Sequence, residues 1–125
     1  MLGDSNAIAT VAVRDLAAAT RFYEGTLGLA RVASEGTEAV EYRTGGTRML
    51  VYVSEYAGTN QATGATWIVG DQVDALVREL KSRGVTFEHY DLPDTRREGD
   101  VHLAGDTRVA WFKDPDGNIH ALVNG

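Results

Sequence analysis

The chain has 125 residues, which is enough for one ordinary domain, and it contains no cysteine, which excludes disulfides, zinc–thiolate sites and thiol nucleophiles. Eighteen acidic against twelve basic residues give a net charge of −6, which disfavours nucleic-acid binding because that binding depends on neutralising phosphates. No apolar run approaches the ~20 residues of a membrane span, and the N-terminal residues lack the basic and apolar regions of a signal peptide. We therefore expect a cytoplasmic protein that binds neither nucleic acid nor membranes.

The first half of the chain predicts a strand, a helix and three more strands. Residues 7–13 are typical of a buried strand, Asp15 is the predicted N-cap of the helix, and Gly28 is the residue expected to end it. Between these two residues, apolar side chains recur at helical spacing at Leu16, Ala19, Phe22, Tyr23 and Leu27. Strands are predicted over 29–33, 38–43 and 48–54, with a hairpin turn over 44–47 and a loop over 56–63.

The pattern restarts in the second half of the chain. Residues 65–69 predict a strand, Asp71 the N-cap of a second helix, and Gly84 its end. Asp71 and Gly84 each stand fifty-six positions after the equivalent residue of the first helix, which indicates an internal repeat. A strand is predicted over 85–90, a long polar loop over 91–105 and a strand hairpin over 109–123.

The two halves predict two βαβββ modules, at about 6–58 and 64–125, in a single domain that spans residues 1–125. Three motifs lie in this framework, namely Val13-Arg14-Asp15-Leu16 before the first helix, Leu27-Gly28-Leu29 after it, and Asp114-Pro115-Asp116-Gly117-Asn118 near the end. In this order they resemble the vicinal oxygen chelate superfamily, which includes glyoxalase I, extradiol dioxygenases, fosfomycin-resistance enzymes and bleomycin-binding proteins. The resemblance implies an α+β fold in which the two modules form a curved mixed sheet around a cavity.

The metalloenzymes of this superfamily bind a divalent ion through side chains on the first and last strands of each module. The resemblance places those ligand positions at Ile8, at Gly64 or Ala65, within 51–53, and at Ala121. None of these positions carries the carboxylate or imidazole that such a metal site needs. We therefore expect no metal site and no cofactor.

Strand alternation predicts which side chains of the last strand face the cavity. Ala121 should face inward, across from Ile8 and Gly64, whereas the neighbouring His120 should point away from the cavity. Glu55, near the end of the first module, is expected at the cavity rim. The other two histidines and the acids of the final turn are expected to be solvated or structural, namely His89, His102, Asp114 and Asp116.

Aromatic side chains are the best candidates for ligand binding because flat rings offer amphipathic contact area to planar molecules. The alternative is that the tryptophans and phenylalanines fill the layer between sheet and helices. Alternation puts Trp111 and Phe112 on opposite faces, so one of them should be available to the cavity. The predicted cavity residues are Ile8, Arg48, Tyr52, Asn60, Trp67, Tyr90, Trp111 and Ala121.

These patterns favour a metal-free protein that binds a small molecule, as bleomycin-binding relatives do, with sequestration of a drug or metabolite as its role. The alternative is an enzyme with a rearranged metal or acid–base site, such as a glyoxalase-like lyase or isomerase or a dioxygenase. A third possibility is an interaction module without a small-molecule ligand. Relatives with two modules commonly pair, so the resemblance also implies a homodimer.

Overall fold

The computed structural model describes residues 1–125, apart from the side chain of Glu35. The described chain contains two helices and ten strands, and the first helix ends in a π-helical segment. In chain order these are β1 (Ala9–Val13), α1 (Leu16–Thr20) with its π-helical continuation (Arg21–Thr26), β2 (Ala30–Glu35), β3 (Ala39–Thr44), β4 (Thr47–Val53), β5 (Thr63–Ile68), α2 (Val73–Ser82), β6 (Phe87–Glu88), β7 (Arg96–Glu98), β8 (Val101–Ala104), β9 (Thr107–Lys113) and β10 (Ile119–Val123).

The strands form two mixed sheets that follow the same plan. The first sheet has the order β1-β4-β3-β2, and the second has the order β5-β10-β9-β8-β7, with β6 also paired to β9. In each sheet the first strand of the module pairs in parallel with the last strand, and the other pairs are antiparallel. The sheets approach each other at β1 and β5. The predicted α+β class with two repeated modules is therefore confirmed.

The helices cover one face of the sheets and leave the other face open. Asp15 caps α1 as predicted, since its carboxylate accepts hydrogen bonds from the N–H groups of Ala17 and Ala18 at 2.9 and 3.3 Å. On β1, Val11 and Val13 are buried in the core cluster that includes α1, and Thr10 and Ala12 lie on the opposite face. In the second module, α2 packs against the buried side chains of β8, β9 and β10 in the same way.

The prediction of a polar loop over 91–105 is wrong, because much of this segment forms the β7–β8 hairpin. Gly99 adopts a φ of 61° at the hairpin turn, and the apolar Val101 and Leu103 are buried in the second core cluster. The charged residues of β7 hid this strand pattern. The predicted cap at Asp71 is also wrong, since Asp71 lies in a 3₁₀ turn and α2 has no side-chain cap.

The strand predicted over 85–90 is shorter than expected, because only Phe87–Glu88 pairs, with β9. The hairpin predicted at 44–47 is confirmed, with Thr44 opposite Thr47 across the turn. Over the part of the chain that the structure describes, neither helix has the length and apolar character needed to cross a membrane.

Candidate functional site

The turn over residues 114–118 joins the end of the second module to the first module. Oδ1 of Asp114 accepts hydrogen bonds from the backbone N–H groups of Asp116 and Asn118, at 3.0 and 2.8 Å. Both bonds lie inside the turn. The side-chain amide of Asn118 donates to the carbonyl oxygen of Ala12 on β1, at 2.7 Å. Asp116 accepts from the N–H of Arg14 at 3.2 Å. The acids predicted to serve the turn therefore also bind one module to the other.

A buried chain of three side chains, Asp114, Tyr23 and His120, crosses this seam between the modules. The hydroxyl of Tyr23 donates to Oδ2 of Asp114 at 2.6 Å, and its oxygen lies 2.7 Å from Nε2 of His120. A phenol has one hydrogen, and here it is directed to Asp114, so the Nε2–H group of His120 is the donor to Tyr23. Nδ1 of His120 is then an acceptor, and it has no partner among the described residues.

The burial of this chain sets the protonation of two of its members. Burial raises the pKa of Tyr23, and the charge of Asp114 raises it further, so the phenol keeps its proton. Burial lowers the pKa of His120 to about 4, and the charge of Asp114 opposes that shift only in part. The imidazole of His120 is therefore neutral at pH 7, as the assigned tautomer requires.

A cavity of about 150 Å³ opens at the seam beside His120. Gly64 lines the same cavity, and a Cβ placed on Gly64 would lie 3.9 Å from both Nδ1 and Cε1 of the imidazole. Because Gly64 has no side chain, only its backbone lies against this edge of the ring, which is itself buried beside the cavity. The residues around the cavity are Thr10, Val11, Ala12, Tyr52, Tyr56, Gly58, Asn60, Ala62, Gly64, Asn118, Ile119 and His120.

The structure places the predicted cavity residues in several locations. Tyr52 and Asn60 line the cavity at the seam. Arg48 and Trp67 line a separate cavity of about 340 Å³ beside the β3–β4 turn. Ile8 lies just before β1 and is 42% exposed. Their roles in ligand binding stay predictions.

Trp67 belongs to the helix-covered face rather than the open one. Its indole Nε1 donates to Oγ1 of Thr44 at 2.8 Å, and its ring packs against Phe112 and His120 with centroids 6.1 and 5.5 Å apart. The partly buried indole therefore contributes to the shared core of the two modules.

Trp111 is the aromatic residue of β9 that lies on the open face, whereas Phe112 is buried on the helix side. The indole Nε1 of Trp111 donates to Oγ1 of Thr63 on β5 at 3.1 Å. Since β10 lies between β9 and β5, the indole has to cross β10 to reach Thr63. Trp111 is directly opposite Ala121 and Thr63 is beside Ile119, so the ring crosses this part of β10.

Ala121 lies on the face opposite His120 and Leu122, as alternation predicted, and is 3% exposed, but the seam cavity is lined by His120 and not by Ala121. Thr66 pairs with Ala121 in the strand register, after an irregularity between Ile119 and His120, whereas Gly64 lies next to the ring of His120. The crossing indole of Trp111 occupies the face that a longer side chain at position 121 would need.

Tyr90 and His102 surround the other side of the Trp111 ring. Their ring centroids lie 5.3 and 4.8 Å from that of Trp111, both in edge-to-face geometry. His102 is 1% exposed, and its Nε2 accepts the N–H of Tyr90 at 3.0 Å. His89, in contrast, is partly exposed and lies 2.8 Å from Asp100. The sequence placed His102 in a loop, so its burial was not predicted.

The residues at the superfamily's ligand positions do not fit a metal ion. Ile8, Val51, Val53, Gly64 and Ala121 have no donor atom in their side chains, and Tyr52 offers only a neutral phenol oxygen. Across the residues that the structure describes, no three His, Asp or Glu side chains come close enough to hold a metal ion. What the site offers to a ligand is hydrogen-bonding groups and aromatic surface.

Sequence reasoning missed the role of Tyr23 and the position of His120 beside the cavity. Tyr23 was assigned to the buried face of α1, and a hydroxyl on such a face needs a hydrogen-bond partner. That requirement was the available indication of a buried polar partner. The partners themselves, Asp114 and His120, are more than ninety residues away in sequence and could not be identified from it.

The sequence profile described as the Glyoxalase/Bleomycin resistance protein/Dioxygenase superfamily matches residues 6–122. Fosfomycin resistance protein FosX from Listeria monocytogenes has a similar structure, with a TM-score of 0.73 and 17% identity over 98% of this chain and 93% of that one. Lactoylglutathione lyase from Agrobacterium tumefaciens gives a TM-score of 0.69 and 17% identity, with 95% and 92% of the chains covered.

An integron cassette protein from the mobile metagenome of the Halifax Harbour sewage outfall gives a TM-score of 0.71 and 15% identity, with 95% and 97% covered. At sequence identities of 15–17%, the similarity to these solved structures shows a shared fold alone. Among curated proteins, no sequence matches this chain significantly.

Proposed function

The chain belongs to the glyoxalase/bleomycin resistance protein/dioxygenase superfamily, and on that basis we propose that it binds a small molecule without a metal ion, in the cavity at the module seam. The observation that supports this proposal most directly is the chemistry at position 121. Ala121 stands where the metalloenzymes of the superfamily carry a ligand, and the indole of Trp111 crosses the strand beside it. A metal site in this place would need both a new donor and a displaced tryptophan.

The walls of the seam cavity favour a flat ligand. Tyr52 and Tyr56 contribute aromatic rings that are 38% and 71% exposed, so their surfaces are accessible. Asn60 holds the shape of the adjoining loop, because its side chain both donates to the carbonyl and accepts from the N–H of Ala62. A volume of about 150 Å³ suits a molecule of one or two fused rings. Sequestration of a drug or metabolite is the role we propose for such binding.

The alternative function is an acid–base enzyme, such as a lyase or isomerase, that uses the Asp114–Tyr23–His120 chain. The hydrogen-bonded order of the three groups favours this alternative, since it orients the imidazole as catalytic bases are oriented. A pKa of about 4 makes His120 a weak base at neutral pH, because efficient general bases have a pKa near the working pH. Binding is therefore the better-supported function.

The test is to purify the protein without chelator, measure its metal content and screen small aromatic compounds by thermal shift. We expect no stoichiometric metal, no change of melting temperature with a chelator, and ligands that raise the melting temperature by mass action. Tyr52→Ala and Tyr56→Ala should reduce the ligand-induced shift. Leu92→Ala is the matched control, because Leu92 is an exposed apolar residue that does not line the seam cavity. Stoichiometric metal that is lost to a chelator and restored together with an enzymatic activity would contradict the proposal.

A further inference from the structure

Nδ1 of His120 is a buried hydrogen-bond acceptor that no described residue satisfies. The His120 side chain is completely buried, so bulk water does not replace the missing donor. Buried polar atoms are almost always hydrogen-bonded, so an unsatisfied acceptor beside a cavity calls for a partner, and the cavity is a route by which one can reach it. His120 and Gly64 line the same seam cavity, and the Nδ1–Cε1 edge of the ring is the part that lies next to Gly64.

The protein holds this nitrogen in its acceptor form. Asp114 accepts hydrogen bonds at both carboxylate oxygens, two of them from backbone N–H groups, so it is not the donor to Tyr23. The Tyr23 hydroxyl is consequently directed at Asp114, and the only hydrogen available between Tyr23 and His120 is the one on Nε2. A neutral imidazole that carries its hydrogen on Nε2 presents a lone pair at Nδ1.

We propose that Nδ1 of His120 accepts a hydrogen bond from the ligand, so that the seam cavity selects flat small molecules that carry an N–H or O–H donor at one edge. A ligand with an oxygen acceptor at that edge places two lone pairs against each other and leaves Nδ1 unsatisfied. The flat surfaces of Tyr52 and Tyr56 accept the body of the molecule, and they do not distinguish the two kinds of ligand. This inference rests on the proposed binding function.

Indole and benzofuran are a matched pair of probes, because they share one shape and differ at the ring atom that is N–H in indole and oxygen in benzofuran. We expect indole to bind in the cavity at least about tenfold more tightly than benzofuran, as measured by titration calorimetry. Imidazole nitrogen NMR should show that indole shifts the Nδ1 resonance of His120 while Nε2 stays protonated. Equal affinity of the two probes at the cavity overturns the selectivity inference and leaves the binding function in place. Failure of both probes to affect cavity residues overturns the two together.

Gly64→Ala tests the location of the selective contact. The added methyl group would make ordinary contacts, at 3.5 Å from the carbonyl oxygen of Ile119 and 3.9 Å from the His120 ring, and the backbone of Gly64 is not in the left-handed region. The variant should therefore fold normally, bind indole more weakly and lose its preference over benzofuran. Gly46→Ala is the matched control, since its methyl group would meet no atom within 4 Å and lies outside the seam cavity. An unchanged preference in Gly64→Ala contradicts the proposal.

Tyr23→Phe tests how the tautomer is held. Without the Tyr23 oxygen, Nε2–H of His120 has no acceptor, so the hydrogen is free to move to Nδ1 and the indole preference should fall. Nitrogen NMR should show mixed tautomers in this variant. A single Nε2–H tautomer with full indole preference in folded Tyr23→Phe would contradict the role of the chain. If that variant does not fold, the probe pair and Gly64→Ala decide the matter.

Discussion

The side chain of His120 connects the stability of the protein to pH. Its pKa is lowered to about 4 in the folded protein, chiefly by burial, whereas an imidazole in the unfolded chain titrates near its ordinary value of 6.5. The unfolded chain therefore binds more protons between these two values, and the free energy of unfolding must fall as the pH falls through that interval. Tyr23 and Asp114 are the polar groups that share a hydrogen-bonded chain with the imidazole of His120. The Tyr23–Asp114 and Tyr23–His120 hydrogen bonds do not offset the cost of burying a charged imidazole.

We predict that the protein is less stable at pH 4 than at pH 7, with a loss on the order of 3 kcal/mol from His120. Denaturant unfolding measured at intervals across this range checks the prediction. His120→Gln should flatten the dependence between pH 6.5 and 4, whereas His89→Gln, which changes a partly exposed histidine, should keep it. Asp100, whose pKa is held below its usual value by hydrogen bonds from Lys81 and His89, contributes at lower pH. An equally steep curve in His120→Gln would show that the buried histidine is not the cause.

At the scale of elements, the loop after β4 and the final turn depend on each other. Gly58 has a φ of 74°, and a Cβ at this position would overlap the carbonyl oxygen of Asp116 in the final turn. Glycine is therefore needed at position 58 for its conformation and also for the close approach of two backbone segments. Both segments line the seam cavity, so their contact also shapes the candidate site.

We predict that Gly58→Ala destabilises the protein by about 2 kcal/mol or more, because it adds a steric overlap to a strained backbone. Gly45→Ala is the control, since Gly45 has a similar φ of 58° and no atom within 4 Å of the added methyl group. The control should cost about 1 kcal/mol. Urea denaturation of the two variants measures the difference. Equal destabilisation would mean that the loop moves away from the final turn without cost.

A carboxylate introduced at position 121 tests whether the side chain at this position is enclosed beside the Trp111 indole. Ala121 is 3% exposed and the Trp111 indole crosses β10 beside it, so Ala121→Glu would bury a lone charge and displace the ring. We predict a loss of about 2 kcal/mol or more in the free energy of unfolding and no tight binding of Zn²⁺ or Ni²⁺, as measured by thermal melts and metal titration. Val123→Glu, on the same face of the same strand but only partly buried, should cost less. Tight metal binding by Ala121→Glu would mean that existing side chains already complete a metal shell.

Local patterns predicted most of the fold, because the relevant interactions are short in sequence. Asp15 caps its own helix, and residues 44–47 form their own hairpin turn, so both could be inferred from neighbouring residues. The hairpin of β7 and β8 was missed since its burial depends on α2 and β9, which the charged sequence of β7 does not reveal.

The candidate site was less predictable than the fold, because its geometry depends on contacts between distant segments. Alternation correctly separated Ala121 from His120, but it also led to the expectation that His120 takes no part in a cavity. The pairing of β5 and β10 is irregular where Gly64 lies beside the ring of His120, and both residues line the seam cavity. Such an irregularity leaves no pattern in a single strand, so the residues at its two sides could not be matched from sequence.

At the scale of the whole molecule, the two modules share one interior. Trp67 and Phe22 pack against both core clusters, and hydrogen bonds cross the seam from side chains of both halves. Arg83 of the second module, for example, donates to the carbonyl oxygen of Thr26 at 3.0 Å, and Trp67 donates to Thr44. The helices cover only one face of the sheets, so the opposite face is available for a partner chain.

We predict that two copies of the chain form a homodimer through this open face, because a twofold interface would let exposed apolar side chains such as Tyr52 and Ile68 be covered by the same face of a second copy. Ile68 is 75% exposed on β5 and lies on the open face, so Ile68→Glu should weaken the dimer by placing two like charges near each other. Leu2→Glu is the control, since Leu2 is similarly exposed, at 77%, in the N-terminal turn away from the sheets. Sedimentation at micromolar concentration should give twice the chain mass of 13.5 kDa for the wild type and for Leu2→Glu, and a smaller average mass for Ile68→Glu. A wild-type species of 13.5 kDa alone would contradict the dimer, and a dimer unaffected by Ile68→Glu would place its interface elsewhere.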